Sequence, residues 1–434
     1  MFGSLRVRNY RLFASGQVIS NVGTWMQRIA QDWLVLELSG YNPIALGVAA
    51  ALQFLPTLML TLWAGVLADR HDKRKLLMLV QTGMATSAVV LGLLDVTALV
   101  QLWQVFLLCF VFGIFTAFDP PVRQSFVGEM VGKEHLTNAV ALNSSTFNLA
   151  RIVGPAIAGV MIIWTGTGWV FLVNAVSTVA VIIGLWRMNP AELHRSAAPV
   201  RKRGQLMDGL RYVRTRPDIM TVLALVFCVS TFAITFNTTL AIVAANVFHR
   251  QADGYGLLST LLAVGTFAGA VLAVRRSTRR RPGLKLLIGA AFAFGVLELV
   301  AGLMPSYLTF GLALIPAGFA MMTFMNTANG TIQLATTPEM RGRVMALYML
   351  VFIGGNPIGG PVTGWMAATL GGRSPFVIGG IAAALSAVVC GVVLARRGGV
   401  QMRDRIRPRW VLGRYRRSRR AEPVVAPDLA RVEA

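Results

Sequence analysis

The stretch Gly65 to Lys75, GVLADRHDKRK, separates two apolar runs, one beginning near Ile44 and the other at Leu76. It places acidic and basic residues in the shortest link between those runs, and a link that short cannot hold a soluble domain. We therefore predict a tight turn between two membrane helices. Because Lys and Arg beside membrane helices are enriched on the cytoplasmic side, we expect this turn to face the cytoplasm.

The composition of the 434-residue chain indicates an integral membrane protein. Apolar residues make up 55% of the chain and charged residues 14%, whereas a soluble domain is about 45–50% apolar and about 25% charged. The three cysteines lie far apart in apolar runs, so we expect neither a disulfide nor a metal site. The polar start leads straight into a full-length span, so no cleavable signal peptide is expected.

Apolar runs of about 20 residues, the length that a membrane helix needs, occur twelve times. In lipid each run should be a helix, because its backbone groups have no water to bond. We therefore predict an all-α membrane protein. The predicted spans are 12–37, 44–67, 76–95, 99–119, 139–163, 168–187, 219–245, 255–274, 284–304, 307–328, 343–370 and 375–395.

The distribution of Lys and Arg predicts the orientation. Twelve spans put both termini on one side, and 37 of the 41 Lys and Arg fall on that side. Only Arg250 and Arg373 fall on the other side, and Arg28 and Arg151 lie within spans. This asymmetry predicts termini in the cytoplasm. It also explains the net charge of +23 without a nucleic-acid partner.

The chain shows a weak internal repeat at a shift of 205 residues. The shift aligns Leu67-Ala68 with Leu272-Ala273 and Ala141-Leu142 with Ala346-Leu347, which predicts two six-helix halves related by a parallel pseudo-repeat. The predicted parts are a first half at 1–187, a cytoplasmic linker at 188–218 with a short surface helix at 206–214, a second half at 219–395, and a disordered basic tail at 396–434.

Polar residues form a stripe along the first span, ending in a pair of opposite charges, Arg28 and Asp32. A polar stripe on a membrane helix must face protein or a water-filled cavity, and ionisable groups there mark pathways. The alternative is a structural Arg28–Asp32 pair on one helix face. Our hypothesis is that Asp32 takes up and releases a proton, with Arg28 or Arg151 as its partner.

Polar faces on several other spans predict a central cavity. Thioethers beside a few amides suit a pocket for varied apolar molecules, although helix packing is the alternative for the methionines. The expected cavity-lining residues, besides the charged ones, are Gln17, Asn21, Thr24, Gln31, Asn148, Thr235, Asn237, Met322, Asn326 and Asn356. Glu298, in the ninth span, is expected near the outer surface.

Charged links on the cytoplasmic side resemble one another in the two halves. In AFDPPVRQSFVGEMV, 117–131, two prolines should end the fourth span, and TTPEMRGR, 336–343, has the same ingredients. We interpret these links as a gate or latch, with plain topology signals as the alternative. The residues concerned are Gly65, Asp69, Arg70, Lys73, Arg74, Asp119, Arg123, Glu339 and Arg341.

Small residues and prolines recur where two halves could rock against each other. Gly154, Pro155 and Gly159 lie in the fifth span, and GGNPIGGPVTG, 354–364, brings Pro357 and Pro361 into the eleventh. Small residues let helices approach closely and Pro lets a helix bend. The alternative is packing alone.

The chain resembles the major facilitator superfamily. GVLADRHDKRK is similar to its loop signature G-x-x-x-D-R-x-G-R-K, with Asp72 in place of the second Gly. DWLVLELSG at 32–40, AFDPPVRQSFVGEMV and the Gly154-Pro155 pair resemble the enterobactin (siderophore) exporter-like and drug:proton antiporter-3 branch. The resemblance implies export of a small organic molecule by alternating access, as a proton antiporter. Two departures are the lack of Arg from Leu99 to Phe118 and the incomplete Gly-Pro motif, GPAIAG.

Other functions remain open at this stage. The four histidines all fall in links and no G-x-x-x-x-G-K-[ST] loop occurs, so we expect neither an enzyme nor a cofactor. One alternative is uptake or lysophospholipid flipping, and another is a non-transporting sensor or scaffold. We expect a monomer in contact with membrane lipids and a small-molecule substrate.

Overall fold

The computed structural model describes residues 3–194, 205–277 and 283–396. Within these residues the regular structure is helical, and each predicted span corresponds to one observed helix. The helices are α1 (Arg8–Leu38), α2 (Pro43–Arg70), α3 (Lys73–Val96), α4 (Leu102–Gly132), α5 (Glu134–Thr165), α6 (Thr167–Trp186), α7 (Gln205–Arg214), α8 (Pro217–Val247), α9 (Ala252–Ser277), α10 (Leu284–Leu303), α11 (Tyr307–Ala335), α12 (Pro338–Leu370) and α13 (Ser374–Arg396).

Eleven helices in the described part of the chain are long and apolar enough to cross a membrane. The helix α1 is not among them because its polar stripe lowers its hydropathy. With 31 residues it still exceeds the roughly 20 residues that a span needs, and it packs along α6 inside the bundle. The protein is therefore a multi-pass membrane protein with α1 as its twelfth spanning helix.

The spanning helices form two six-helix halves, α1–α6 and α8–α13. Within the first half α1 and α3 pack on α6, and within the second half α9 packs on α11 and α10 on α13. The halves meet along two helix pairs, α2 with α12 and α5 with α9. We call the end that carries α7 and the α2–α3 turn the linker end, and the other end the opposite end.

The halves lie closer together at the opposite end than at the linker end. A Cβ added at Gly364 of α12 would lie 2.5 Å from the Pro43 carbonyl oxygen of α2, and one added at Gly159 of α5 would lie 2.9 Å from the Ala252 carbonyl oxygen. Such backbone approach requires glycine. At the linker end a cleft of about 320 Å³ opens between α2 and α12, beside Gly65 and Gly342. The bundle is thus sealed at the opposite end.

The prediction that Pro120 and Pro121 end the fourth span is wrong. The helix α4 continues through both prolines and ends at Gly132, where φ is 66°. A membrane helix tolerates interior prolines because neighbouring helices and Ser or Thr side chains satisfy the freed backbone groups. A backbone with positive φ, which glycine adopts readily, ends the helix instead.

The helix α8 is interrupted near its middle. Helical segments run over Pro217–Phe232 and Phe236–Ile242, followed by a π-helical turn at Val243–Val247. The amides of Ala233 and Ile234 both bond the Val229 carbonyl oxygen, which leaves the following residues outside the regular ladder. The break places Thr235 and Asn237 beside the space between the halves.

The linker helix predicted at 206–214 is observed as α7 and packs on α12. Arg343 of α12 forms an ion pair with Asp208 of α7 at 3.4 Å. The basic run at 201–203 and the tail from 397 lie outside the described residues.

Candidate functional site

A cavity of about 330 Å³ lies between the two halves, lined by both of them. The helices α1 and α5 contribute charged side chains, whereas α8, α11 and α12 contribute hydroxyls, amides and thioethers. The sequence-predicted residues that line it are Arg28, Asp32, Arg151, Thr235, Asn237 and Asn356.

The carboxylate of Asp32 is bound across the interface between the halves. Its Oδ2 accepts a hydrogen bond of 2.7 Å from the Tyr255 hydroxyl of α9, which also lies 3.1 Å from the Asn237 carbonyl oxygen. Tyr255 is fully buried. Sequence reasoning missed Tyr255, although a phenol hydroxyl in an apolar span needs a polar partner. The Asp32–Tyr255 bond therefore ties the first half to the second.

The two arginines of the cavity form no ion pair within 4 Å among the described residues. The Arg28 guanidinium stacks over the Trp25 ring, 4.9 Å from the ring centre. Arg28 Nε and Arg151 Nη2 are buried and have no hydrogen-bond partner in the described part of the structure. Asp32 bonds Tyr255 and forms no ion pair within 4 Å of Arg28, but the two charges lie close enough to attract each other.

The polar stripe of α1 divides between different surroundings. Gln17 Nε2 donates to Asn21 Oδ1 at 2.8 Å, and Gln17 borders a separate cleft against α5 near the linker end. Thr24 donates to the Ser20 carbonyl oxygen, and Gln31 donates to Gln53 Oε1 of α2 at 3.3 Å. None of these four polar residues lines the cavity, because neighbouring helices cover the parts of α1 where they lie.

Three other predicted lining residues face elsewhere. Met321 and Met325 line the cavity, whereas Met322 lies against Gly269 of α9 and Asn326 is outside the lining. One residue along a helix rotates the side chain by about 100°, so the predicted face of α11 was displaced by one position. Asn148 is half-buried, lies outside the cavity lining and donates to the Ser144 carbonyl oxygen.

The described contacts of the predicted latch lie within the first half. Lys73 pairs with Glu129 of α4 at 2.5 Å, and Arg74 donates to the Leu185 and Trp186 carbonyl oxygens at the end of α6. Glu129 was missed from sequence. These contacts brace α3 against its own half. The latch between the halves stays a prediction for Lys73 and Arg74.

Asp119 is buried on α4 and likewise has partners in the first half. Its Oδ1 accepts from Gln81 Nε2 of α3 at 2.7 Å, and its Oδ2 pairs with Arg123 at 2.9 Å. Because the helix continues past the prolines, these two residues lie one turn apart rather than at a helix exit. They hold α3 and α4 together.

The remaining gate candidates are placed as follows. Arg70, Glu339 and Arg341 are exposed at the linker end, and Gly65 borders the cleft between α2 and α12. The side chain of Asp69 and residues 278–280 of its second-half counterpart lie outside the described residues.

The glycines and prolines of α5 and α12 lie where helices touch. A Cβ added at Gly154 would lie 2.6 Å from the Trp25 Cβ, and Pro155 lines the cavity. Pro357 and Pro361 lie inside α12. A Cβ added at the neighbouring Gly355 would lie 2.5 Å from Ser230 Oγ of α8. These residues let α5 meet α1 and α12 meet α8.

Glu298 lies apart from the cavity lining. It is 3% exposed in α10, five residues before that helix ends at the opposite end, and its Oε2 has no hydrogen-bond partner among the described residues. Its Oε1 would lie 3.3 Å from a Cβ added at Gly379 of α13. It belongs to the packing of α10 against α13. No group of three or more His, Cys, Asp or Glu that could hold a metal occurs in the described ranges.

Comparisons with known proteins identify transporters as relatives. The chain is 23% identical to the staphyloferrin A transporter of Staphylococcus aureus over 66% of this chain and 72% of that protein. It is 20% identical to macrolide efflux protein A of Streptococcus pyogenes over 90% and 97%. It is 25% identical to the enterobactin exporter EntS of Citrobacter koseri over 70% and 73%.

A solved structure shares the fold. The bacterial homologue of the human lysosomal transporter Spinster, in an inward-facing and occupied conformation, superimposes with a TM-score of 0.72 at 14% identity, covering 91% of this chain and 97% of that one. Residues 1–407 match the family described as transmembrane secretion effectors. This protein therefore belongs to the transmembrane secretion effector family of the major facilitator superfamily of transporters.

Proposed function

We propose that this protein exports a small organic molecule across the cytoplasmic membrane by alternating access. The observation that carries the proposal is the cavity of about 330 Å³, which is shared by the two halves and contains charged side chains. Ionisable groups inside a membrane bundle mark pathways. The relatives named as an efflux protein and as an exporter support outward transport.

The rocking units are the first half, 1–187, and the second half, 219–395, joined by the linker at 188–218. We place the linker end in the cytoplasm, since 37 of the 41 Lys and Arg fall on the side of the termini. The seal at the opposite end then faces outward. Substrate enters from the cytoplasm, past the cleft between α2 and α12, into the cavity.

The Asp32–Tyr255 bond gives the cycle a point of control. It crosses between halves on the sealed side, so it must break when the opposite end opens. The ionised carboxylate accepts a stronger hydrogen bond than the neutral acid. Protonation of Asp32 therefore weakens the seal and favours opening. Exchange of an external proton at this carboxyl for exported substrate is the antiport step that we propose.

Transport in everted membrane vesicles tests the proposal. Vesicles carrying the wild-type protein should accumulate a member of a panel of fluorescent organic compounds and lose it when a proton uncoupler is added. Asp32→Asn should abolish the uncoupler-sensitive part. The matched control is Asp253→Asn, an exposed aspartate at the start of α9. Uncoupler-sensitive transport that is intact in Asp32→Asn would reject the proton step. A lack of accumulation of every compound would count against export.

A further inference from the structure

We propose that the cavity selects organic anions, and that Arg28 and Arg151 are the residues that bind the anionic group. The inference rests on the proposed function and specifies its substrate class. It concerns two side chains from different helices of the first half, α1 and α5, which both line the cavity.

The charge balance of the cavity is positive. Among the described lining residues the charged side chains are Arg28, Arg151 and Asp32. Asp32 already accepts a hydrogen bond of 2.7 Å from the Tyr255 hydroxyl. The sum is one positive charge when Asp32 is ionised and two when it is protonated. In either protonation state of Asp32 the net positive charge of the cavity would repel a cationic ligand.

Both guanidinium groups have hydrogen-bonding capacity left over. Arg28 Nε and Arg151 Nη2 are buried and have no partner in the described part of the chain. An arginine keeps its charge in a protein, and a buried donor without a hydrogen-bond partner is destabilising. An anionic ligand that accepts from these donors removes that penalty in the bound state. The unpaired donors therefore favour binding of an anion that accepts hydrogen bonds from them.

The positions of the arginines favour an oxygen-rich anion. Arg28 is held by its stacking on Trp25, 4.9 Å from the ring centre, which leaves the edge of the guanidinium to donate. Guanidinium forks bind carboxylates and phosphates through paired hydrogen bonds. Arg28 and Arg151 both line the cavity, so an anion that enters it meets donors from α1 and from α5.

The remainder of the cavity fits an apolar body attached to that anionic group. Aromatic and thioether side chains supply much of its wall, and Asn237 and Asn356 supply amides from the second half. The apolar residues that matter here are Phe54, Phe147, Phe236, Phe352 and Met325. The predicted ligand is an amphiphilic organic anion. Export of an anion and entry of a proton both move charge in the direction that an inside-negative membrane potential favours.

Three probes that share a naphthalene ring, two anions and one cation, test which charge the cavity binds. Binding of 2-naphthoate, 2-naphthalenesulfonate and 2-naphthylmethylammonium to the full chain in lipid nanodiscs is measured by calorimetry. We expect both anions to bind at least about ten-fold more tightly than the ammonium compound, since a hydrogen bond to a charged group contributes a factor of about ten or more. The sulfonate stays ionised throughout, so its binding excludes uptake of the neutral acid.

Variants assign the binding to the two residues. Arg28→Gln and Arg151→Gln should each lower the affinity for both anions about ten-fold, whereas Arg28→Lys and Arg151→Lys should keep part of it because the charge remains. Arg211→Gln is the matched control, since Arg211 is exposed on α7. Gel filtration and thermal unfolding establish that each variant folds. The Lys variants keep the test decisive if a Gln variant does not fold.

The outcomes separate this inference from the proposed function. Preferred binding of the ammonium probe, no binding of the anions at millimolar concentration, or anion binding that is unchanged in both Gln variants would overturn the inference. Anions that bind without moving in vesicles would count against export and leave the anion site intact. Vesicles that accumulate only cations would support export and refute anion selection.

Discussion

The two halves place different chemistry at equivalent positions around the cavity. The shift of 205 residues carries Asp32 onto Asn237 and Arg151 onto Asn356, and all four residues line the cavity. In the first half these positions are ionisable, and in the second half they are amides. The framework repeats, whereas the charge does not. We infer that the first half recognises the charge of a proton or substrate, and that the second half adds uncharged hydrogen bonds.

The first spanning helices of the two halves, α1 and α8, also differ in their backbones beside the cavity. The helix α1 runs unbroken for 31 residues, whereas α8 is interrupted between Phe232 and Phe236. The shift also pairs Tyr255, which bonds Asp32, with Ala50, which has no polar side-chain atom and also lines the cavity. An unbroken helix therefore holds Arg28 and Asp32, and the second half reaches Asp32 through the Tyr255 hydroxyl. Under the proposed antiport, this asymmetry favours proton exchange at Asp32 rather than at its repeat position, Asn237.

Moving the carboxylate from position 32 to its repeat position, 237, should have the largest effect on transport. Asp32→Asn should abolish uncoupler-sensitive transport, a loss of about 100-fold or more, in line with the loss of a proton-transfer group. The double variant Asp32→Asn/Asn237→Asp should not restore it. The reason is that the Tyr255 hydroxyl meets the backbone oxygen of Asn237 rather than its side chain.

Initial rates in everted vesicles, with and without uncoupler, measure this effect. Asn237→Asp alone serves as the control for the added charge. Recovery of coupled transport in the double variant would show that the two halves are interchangeable, against the asymmetry described above.

The close contact between the halves at the opposite end should be destabilised by a single added methyl group. A Cβ at Gly256 of α9 would approach the Pro155 carbonyl oxygen more closely than real Cβ atoms do, whereas a Cβ at Gly289 of α10 meets nothing within 4 Å. Gly256→Ala should destabilise the sealed state by about 1–3 kcal/mol through overpacking. Gly289→Ala should stabilise its helix by up to about 1 kcal/mol.

Thermal unfolding in detergent measures both substitutions. The midpoint should fall for Gly256→Ala and rise or stay unchanged for Gly289→Ala. Equal shifts in the two variants would mean that the α5–α9 contact does not depend on the missing side chain.

The fold could be predicted because its determinants are long and repetitive. Twelve apolar runs set the helices, and the positions of Lys and Arg separated one set of links from the other. The pair Arg28 and Asp32 stood out because charge within a span is costly. The rotation of each helix is set by packing instead. This is why Met322 was predicted to line the cavity where Met321 does.

The partners of the charged residues could not be predicted because they lie far apart in sequence. Asp32 meets Tyr255, 223 residues away, and Lys73 meets Glu129, 56 residues away. Nothing in the local pattern marks one tyrosine or one glutamate among others. The interior prolines of α4 also misled local reasoning, since the helix ends only where Gly132 adopts a positive φ.

Removing one hydroxyl should sharpen the distinction between contacts across the halves and contacts within one half. Tyr255→Phe loses the 2.7 Å bond to Asp32. Tyr307→Phe, its matched control, loses a 2.8 Å bond to the Gly254 carbonyl oxygen inside the second half. Each should lower the unfolding free energy by about 1–2 kcal/mol. Only Tyr255→Phe should also make the opposite end more accessible.

The accessibility of the opposite end is measured by maleimide labelling of a cysteine that replaces Asn246 of α8. The Asn246 amide lies at that end and donates to the Tyr41 carbonyl oxygen of the other half. The introduced cysteine is compared in three backgrounds, wild type, Tyr255→Phe and Tyr307→Phe. Equal labelling in all three would contradict the role of Tyr255 in the seal.

The smallest effects concern the ion pairs at the linker end. Lys73 and Glu129 are each 12% exposed at 2.5 Å, whereas Arg343 and Asp208 are 29% and 48% exposed at 3.4 Å. Solvent screens the second pair more strongly, so its coupling energy should be near zero, and that of the first should approach about 1 kcal/mol. Double-mutant cycles with Lys73→Gln, Glu129→Gln, Arg343→Gln and Asp208→Asn measure both energies by thermal unfolding. A larger coupling for Arg343–Asp208 would mean that the linker helix holds the second half more firmly than Lys73 and Glu129 brace the first.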